Sequence, residues 1–236
     1  MAVTVLLRMV TPDASVVASF RFLPRLANRR GVYSYHHLYW GFYTLSNLPY
    51  RLPGDVSYAL IDFYDPKVIH SFYSRTGYQR VSEFLLDGTW GIRDRFDMTV
   101  LFNKRFMGDQ RLFEVSGQPF SCASAKFLDI DSFMRLDGYD AVPEEDDLMA
   151  LSFCWTSLAP AAHDLFLVLR LTDAKGQIAH ESLWPVCYGL YPTFAWRPGE
   201  HIKMDIRFLV PDYLAPGRYR MALGYMYRDE VGFYES

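Results

Sequence analysis

From residue 149 to residue 227 the chain breaks into five short apolar runs, a pattern that constrains its fold more than any other feature. The runs are Met149–Thr156, Leu165–Leu171, Ile178–Trp184, Ile202–Val210 and Arg218–Tyr227. Asp173-Ala-Lys-Gly176, Arg197-Pro-Gly199 and Ala215-Pro-Gly217 supply turn chemistry between them. The runs alternate or are β-rich, and the 3.6-residue helical period is almost entirely lost. Short strands at regular spacing predict an antiparallel β-sandwich, jelly-roll or immunoglobulin-like, with Arg111–Tyr139 supplying its first strands.

The first half reads differently. Ala2–Val10 is a short apolar run that Thr11-Pro12-Asp13 stops. Ser15–Ser19, Val32–Tyr35 and Val56–Phe63 read as buried strands. Phe20–Arg30 reads as a helix closed by Gly31, and Asp65-Pro66 opens another that runs to Tyr73. Tyr78–Leu86 and Met98–Lys104 read as further strands. Strand–helix–strand repetition of this kind predicts a small α/β domain, three-layer-like. The fold class expected is therefore α+β in two domains, residues 1–108 and 109–236. Charge changes sign near the same point. Residues 1–110 carry 13 Lys and Arg against 9 Asp and Glu, whereas residues 111–236 carry 11 against 18.

Several functions are excluded on these grounds. With 17% aromatic and 22% charged residues the chain is not intrinsically disordered. It has neither the charge nor a motif of a nucleic-acid binder. No glycine stands in Ala18-Ser-Phe-Arg-Phe-Leu-Pro24, where a dinucleotide fingerprint needs three, and no Walker A sequence occurs. No nucleophile elbow is present. Read as strand residues, His36 and His37 point to opposite faces and cannot share an ion. The acidic run Glu144-Glu-Asp-Asp147 lacks EF-hand spacing and is expected to be an exposed loop. No catalytic residue, metal ligand or cofactor is therefore expected. For Cys122, Cys154 and Cys187 three buried thiols are expected, with one disulfide and a free thiol as the alternative in an oxidising compartment. No stretch reaches the roughly 20 apolar residues of a membrane span.

Two groups of side chains invite a ligand. Arg21, Arg25 and Arg29 fall at i, i+4 and i+8 of the expected helix, with Arg30 beside them, and can meet anionic headgroups or a phosphate. Trp184, Tyr188, Tyr191 and Trp196 share one Pro/Gly-rich stretch, and aromatic faces of this kind stack on sugar rings, so they are the candidate glycan contacts.

Two longer stretches carry a resemblance. Asp13-Ala-Ser-Val-Val-Ala-Ser19, Leu23-Pro-Arg-Leu-Ala-Asn-Arg29, Gly31-Val-Tyr33 and Ala59-Leu-Ile-Asp62 together resemble the exterior domain of a family of polytopic bacterial membrane proteins of unknown function, similar to GT-C-type glycosyltransferases. Arg25 stands where His is usual in that family, and Ser57-Tyr58 where it has Asp-Tyr. Gly189-Leu-Tyr-Pro-Thr193 and Trp196-Arg-Pro-Gly-Glu200 resemble a β-sandwich appended to such enzymes. The resemblance implies a domain on the exterior face of the bacterial cytoplasmic membrane, non-catalytic by itself, with Ala2–Val10 leading out of transmembrane helices upstream. The partners it implies are a glycan or polyprenyl-linked sugar and the membrane surface. A self-contained carbohydrate-active enzyme with an interdomain carboxylate pair, or an oligomerisation scaffold, is the alternative.

Overall fold

A computed structural model describes residues 2–71, 73–108, 110–145, 147–228, 233 and 234. Phe72 in the second expected helix, Asp109 at the start of the second expected domain and Asp146 in the acidic run lie outside the described residues. The chain divides into two compact units, Met1–Gln110 and Arg111–Ser236. Among the described residues no helix is long and apolar enough to cross a membrane.

The first unit opens with helix α1 (Ala2–Met9) and strand β1 (Ser15–Ala18). A 3-10 turn (Phe20–Phe22) and one turn of helix, α2 (Leu23–Leu26), lead to β2 (Val32–Ser34) and helix α3 (Tyr35–Trp40). Strand β3 (Val56–Asp62), a π-turn (Lys67–Ser71), helix α4 (Arg75–Leu85), β4 (Trp90–Phe96) and β5 (Thr99–Lys104) complete it. Its sheet has the order β2-β1-β3-β5-β4. β1 pairs parallel with both β2 and β3, while β5 runs antiparallel to β3 and β4. Leu60 opposes Leu101 and Ala59 opposes Phe102 in the β3–β5 register. Leu60 and Leu101, with Val16 and Ala18, pack on Leu6 and Val10 from the N-terminal segment. The alternate face brings Phe102 to Phe63, whose ring meets Tyr35 of α3.

Three local expectations fail here for identifiable reasons. The helix expected over Phe20–Arg30 does not form, because it would need Pro24 to donate a backbone hydrogen to Phe20, and proline has none. Leu23 donates to the Phe20 carbonyl instead, closing a tight turn before α2 starts. Tyr78–Leu86, expected as a strand, is the body of α4, whose buried Tyr78, Val81 and Leu85 follow a helical spacing. Gly77 marks how tightly α4 packs, since a Cβ there would lie 2.5 Å from the Tyr39 ring. The third is at His36 and His37, which stand on α3 and not on a strand.

The second unit holds two antiparallel sheets. Its strands are β6 (Phe113–Ser116), β7 (Ser124–Ile130), β8 (Met134–Pro143), β9 (Leu148–Ser157), β10 (Asp164–Thr172), β11 (Ile178–Pro185), β12 (His201–Leu209), β13 (Arg220–Arg228) and β14 (Phe233–Tyr234). One sheet has the order β6-β12-β9-β8-β7 and the other β11-β10-β13-β14. The expected turn at Asp173 is formed by its own carboxylate, which accepts hydrogen bonds from the N–H groups of Lys175 and Gln177, with Gly176 at φ 81°. Inward residues fill the space between the sheets, where the Trp184 ring stands 5.7 Å from that of Phe208. The expectation of three thiols is corrected: Cys122 and Cys154 form a disulfide and Cys187 is a buried thiol. Gly138, opposite Cys154 on β8, keeps the crossing open, because a Cβ there would press on Cys122 at 3.0 Å and on the Ser124 carbonyl at 2.6 Å.

Candidate functional site

The order β2-β1-β3 sends the chain from β1 to one side and then back across it to the other. Such a reversal leaves a crevice beyond the carboxyl ends of the two strands, which is where open α/β sheets take their ligands. The segments leaving β1 and β3 therefore define the candidate site: Ser19, Phe20 and Arg21 on one side, and Asp62 to Lys67 on the other.

The two segments are tied together. Asp62 donates its backbone N–H to the Ser19 hydroxyl at 2.9 Å, and Ser19 is fully buried. Arg21 Nε lies 3.1 Å from Asp62 Oδ2, and its terminal nitrogen donates to the Thr99 hydroxyl at 2.9 Å. Tyr64 N–H donates to Asp62 Oδ1 at 3.1 Å. Asp65, also buried, accepts from the N–H groups of Phe20 at 3.2 Å and Lys67 at 2.9 Å. Burial pushes the Asp62 carboxyl up from 3.8 to about 6, against the pull of Arg21 and the Tyr64 N–H, while Asp65 adds to the rise. All four oxygens of this acid pair are thus engaged in holding the edge together.

Two cations, Arg21 and Lys67, border what remains open. Arg21, Lys67 and His70 line a cavity of about 480 Å³ together with Phe20 and Asp65. Half of the Arg21 side chain is in solvent, and Lys67 Nζ sits 3.7 Å from the centroid of the Phe20 ring. The same ring meets the edge of His36 at 6.4 Å.

His36 carries the edge on into a neighbouring recess of about 300 Å³. The strand β2 stops at Ser34, so His36 and His37 follow a helix, where successive side chains turn by about 100° and not 180°. Their rings lie 4.0 Å apart and do not point to opposite faces. His36 Nδ1 is 2.6 Å from the Ser34 hydroxyl, and His37 Nε2 is 2.6 Å from that of Thr44. The Thr44 N–H also points to His37 Nε2, at 3.3 Å. Burial lowers both imidazoles, His36 to about 4, with His37 and the Lys67 charge adding to the effect on His36. Among the described residues no group of three or more His, Cys, Asp or Glu stands ready for a metal ion.

The residues singled out in the sequence are dispersed. Arg21 belongs to the edge just described. Arg25 and Arg30 are exposed elsewhere, and Arg29 donates to the Val10 carbonyl at 2.8 Å, so the four do not share a helix face. Trp184, Tyr188 and Trp196 are buried at 2%, 0% and 4% exposure, which removes the open ring face that a sugar needs. They brace the crossing from β11 to β12: Tyr188 donates to the Asp205 carbonyl, and Trp196 Nε1 to that of Tyr191. Tyr191 is half-buried, stacked with Phe113 at 6.1 Å and Trp196 at 6.5 Å, and its hydroxyl donates to Glu200 at 2.6 Å. The sequence reading missed Ser19, Asp65, Lys67 and His70 as a group. Its nearest signals were an acid closing the apolar run Val56–Asp62 and the pair Asp65-Pro66.

Comparison with protein-family models, with curated proteins and with solved structures finds no match for this chain.

Proposed function

We propose that this chain is a non-catalytic accessory module of a membrane glycosyltransferase-like protein, working on the exterior face of the membrane, and that it binds a phosphate-bearing ligand such as a polyprenyl-linked sugar. The observation that carries the reading is the cavity lined by Arg21, Lys67 and His70 at the reversal point of the sheet. Arg21 and Lys67 converging there favour an anion, while the acids beside them hold backbone N–H groups and Arg21. Each carboxyl oxygen of Asp62 and Asp65 already holds a backbone N–H or Arg21, an arrangement that suits positioning of the edge better than proton transfer. Binding without turnover is the chemistry this edge supports.

Two features of the second unit fit the location. The Cys122–Cys154 disulfide suits an oxidising compartment outside the cytoplasm. The strands pair as in an immunoglobulin-like sandwich: β9 beside β12 in one sheet and β10 beside β13 in the other, with β9 to β10 and β12 to β13 each changing sheet. Such domains are common outside the cell.

Calorimetric titration of the chain with inorganic pyrophosphate and with a short-chain prenyl phosphate tests the reading. Both are expected to bind, and Lys67→Gln is expected to weaken binding about tenfold, the worth of one charge-assisted contact. Failure of both ligands to bind the unmodified chain overturns it.

A further inference from the structure

The second unit holds cavities whose lining differs in chemistry from the edge of the first. Two cavities, about 270 and 370 Å³, lie between its sheets and share Leu128, Leu136 and Leu223 as walls. The first continues toward Trp155 and Leu167, the second toward Phe153 and Met221. Sharing these three leucines, the two adjoin as one largely aliphatic slot of ligand size, about 300–1,000 Å³ being usual, with Arg170 and Tyr225 also lining the first.

Among the described residues the two sheets stay partly open along this side. Residues 221, 223 and 225 of β13 point inward yet remain half-exposed, whereas Leu165, Leu167 and Leu169 on the adjacent β10 are buried. On the facing sheet β7 carries a bulge between Ala125 and Leu128, with Phe127 at φ 49°. The bulge leaves Leu128 58% exposed although it walls both cavities. Lys126, exposed on the same strand, lines the outer cavity and sets a positive charge at its mouth.

We propose that this slot binds the acyl chain of a long-chain fatty acid, with the chain between the sheets and the carboxylate at Lys126. The shared leucine walls and the cations Lys126 and Arg170 match an anionic amphiphile, and a peptide backbone would leave its amide groups unpaired among the leucines. The site is independent of the phosphate edge, since it lies wholly within the second unit.

The test is a chain-length series of saturated fatty acids, with the matching alcohols, titrated into the full chain. Affinity is expected to rise about fourfold per added methylene until the slot is full, and then to level off. Leu223→Trp, at a half-exposed position, fills the slot and is expected to abolish binding while the thermal transition is kept. Lys126→Gln is expected to weaken the acids several-fold and leave the alcohols unchanged. A flat length series, or full binding by Leu223→Trp, overturns the slot, and equal loss for acids and alcohols overturns the assignment of Lys126. A chain that binds no fatty acid and forms a dimer disrupted by Leu223→Arg would give the face to a second copy and overturn the proposal.

Discussion

Ser19 and Asp62 are joined twice across the carboxyl ends of β1 and β3: the Asp62 N–H donates to the Ser19 hydroxyl at 2.9 Å, and that hydroxyl reaches the Asp62 carbonyl at 3.4 Å. A serine side chain thereby continues the sheet ladder one residue past the point where β1 ends. It works beside two further ties between these loops, the Phe20 N–H to Asp65 and the Arg21–Asp62 pair.

Ser19→Ala is expected to cost about 1–3 kcal/mol, because it leaves a buried backbone N–H without its acceptor. Chemical denaturation of the variant measures this directly. A loss well under 1 kcal/mol would mean that the loops hold each other by other means.

Asp62 makes stability depend on pH in a particular direction. Its folded value of about 6 lies above the ordinary 3.8, so between those values the folded chain holds a proton that the unfolded chain has released. This contribution is fully present below pH 3.8 and is lost as pH rises to about 6, by about 3 kcal/mol in all. Stability of the chain relative to Asp62→Asn should fall over that window and stay level above it. A relative stability that rises with pH from 4 to 6 would mean the Arg21 pair outweighs burial.

His36 acts in the opposite sense. Its folded value of about 4 lies below the ordinary 6.5, so acidification from 6.5 to 4 protonates the unfolded chain first and costs stability. Imidazole proton resonances followed by NMR should move near pH 4 for His36, and below 6.5 for His37. A His36 titration at 6.5 would contradict the buried, uncharged ring.

The disulfide gives a prediction that is independent of charge. Cys122 and Cys154 are separated by 32 residues, and closing a loop of that length stabilises by about 4 kcal/mol through the unfolded chain. Denatured, unreduced protein should show one reactive thiol per chain, Cys187, and reduction should lower the denaturation midpoint of the second unit. Three reactive thiols before reduction would contradict it.

Strands were the most legible part of the sequence. Ser15–Ser19 and Val56–Phe63 stood out as short runs rich in apolar residues and hold β1 and β3, and the hairpin at Asp173–Gly176 stood out by its turn residues. Helix α4 was hidden because Tyr78, Val81 and Phe84 are strand-prone residues at helical spacing, and composition outweighed the period. The edge site was harder still. Its acid at position 62 was visible as the end of a strand, but its partners depend on where β3 adds to the sheet. Only when β3 takes the far side of β1 do Arg21, Lys67 and His70 meet one cavity. The aromatic cluster misled for a related reason. Trp184, Tyr188 and Trp196 serve a crossing between sheets, and composition cannot tell a ring that packs from a ring that stacks on sugar.

The central claim is that the carboxyl edge of β1 and β3 binds a phosphate-bearing ligand. Backbone NMR of the labelled chain during pyrophosphate titration tests it most directly. The account predicts shifts concentrated at Phe20, Arg21, Lys67, His70 and Ser71, diminishing as salt is raised. An unperturbed edge at saturating pyrophosphate, or shifts confined to Arg25 and Arg30, would contradict it.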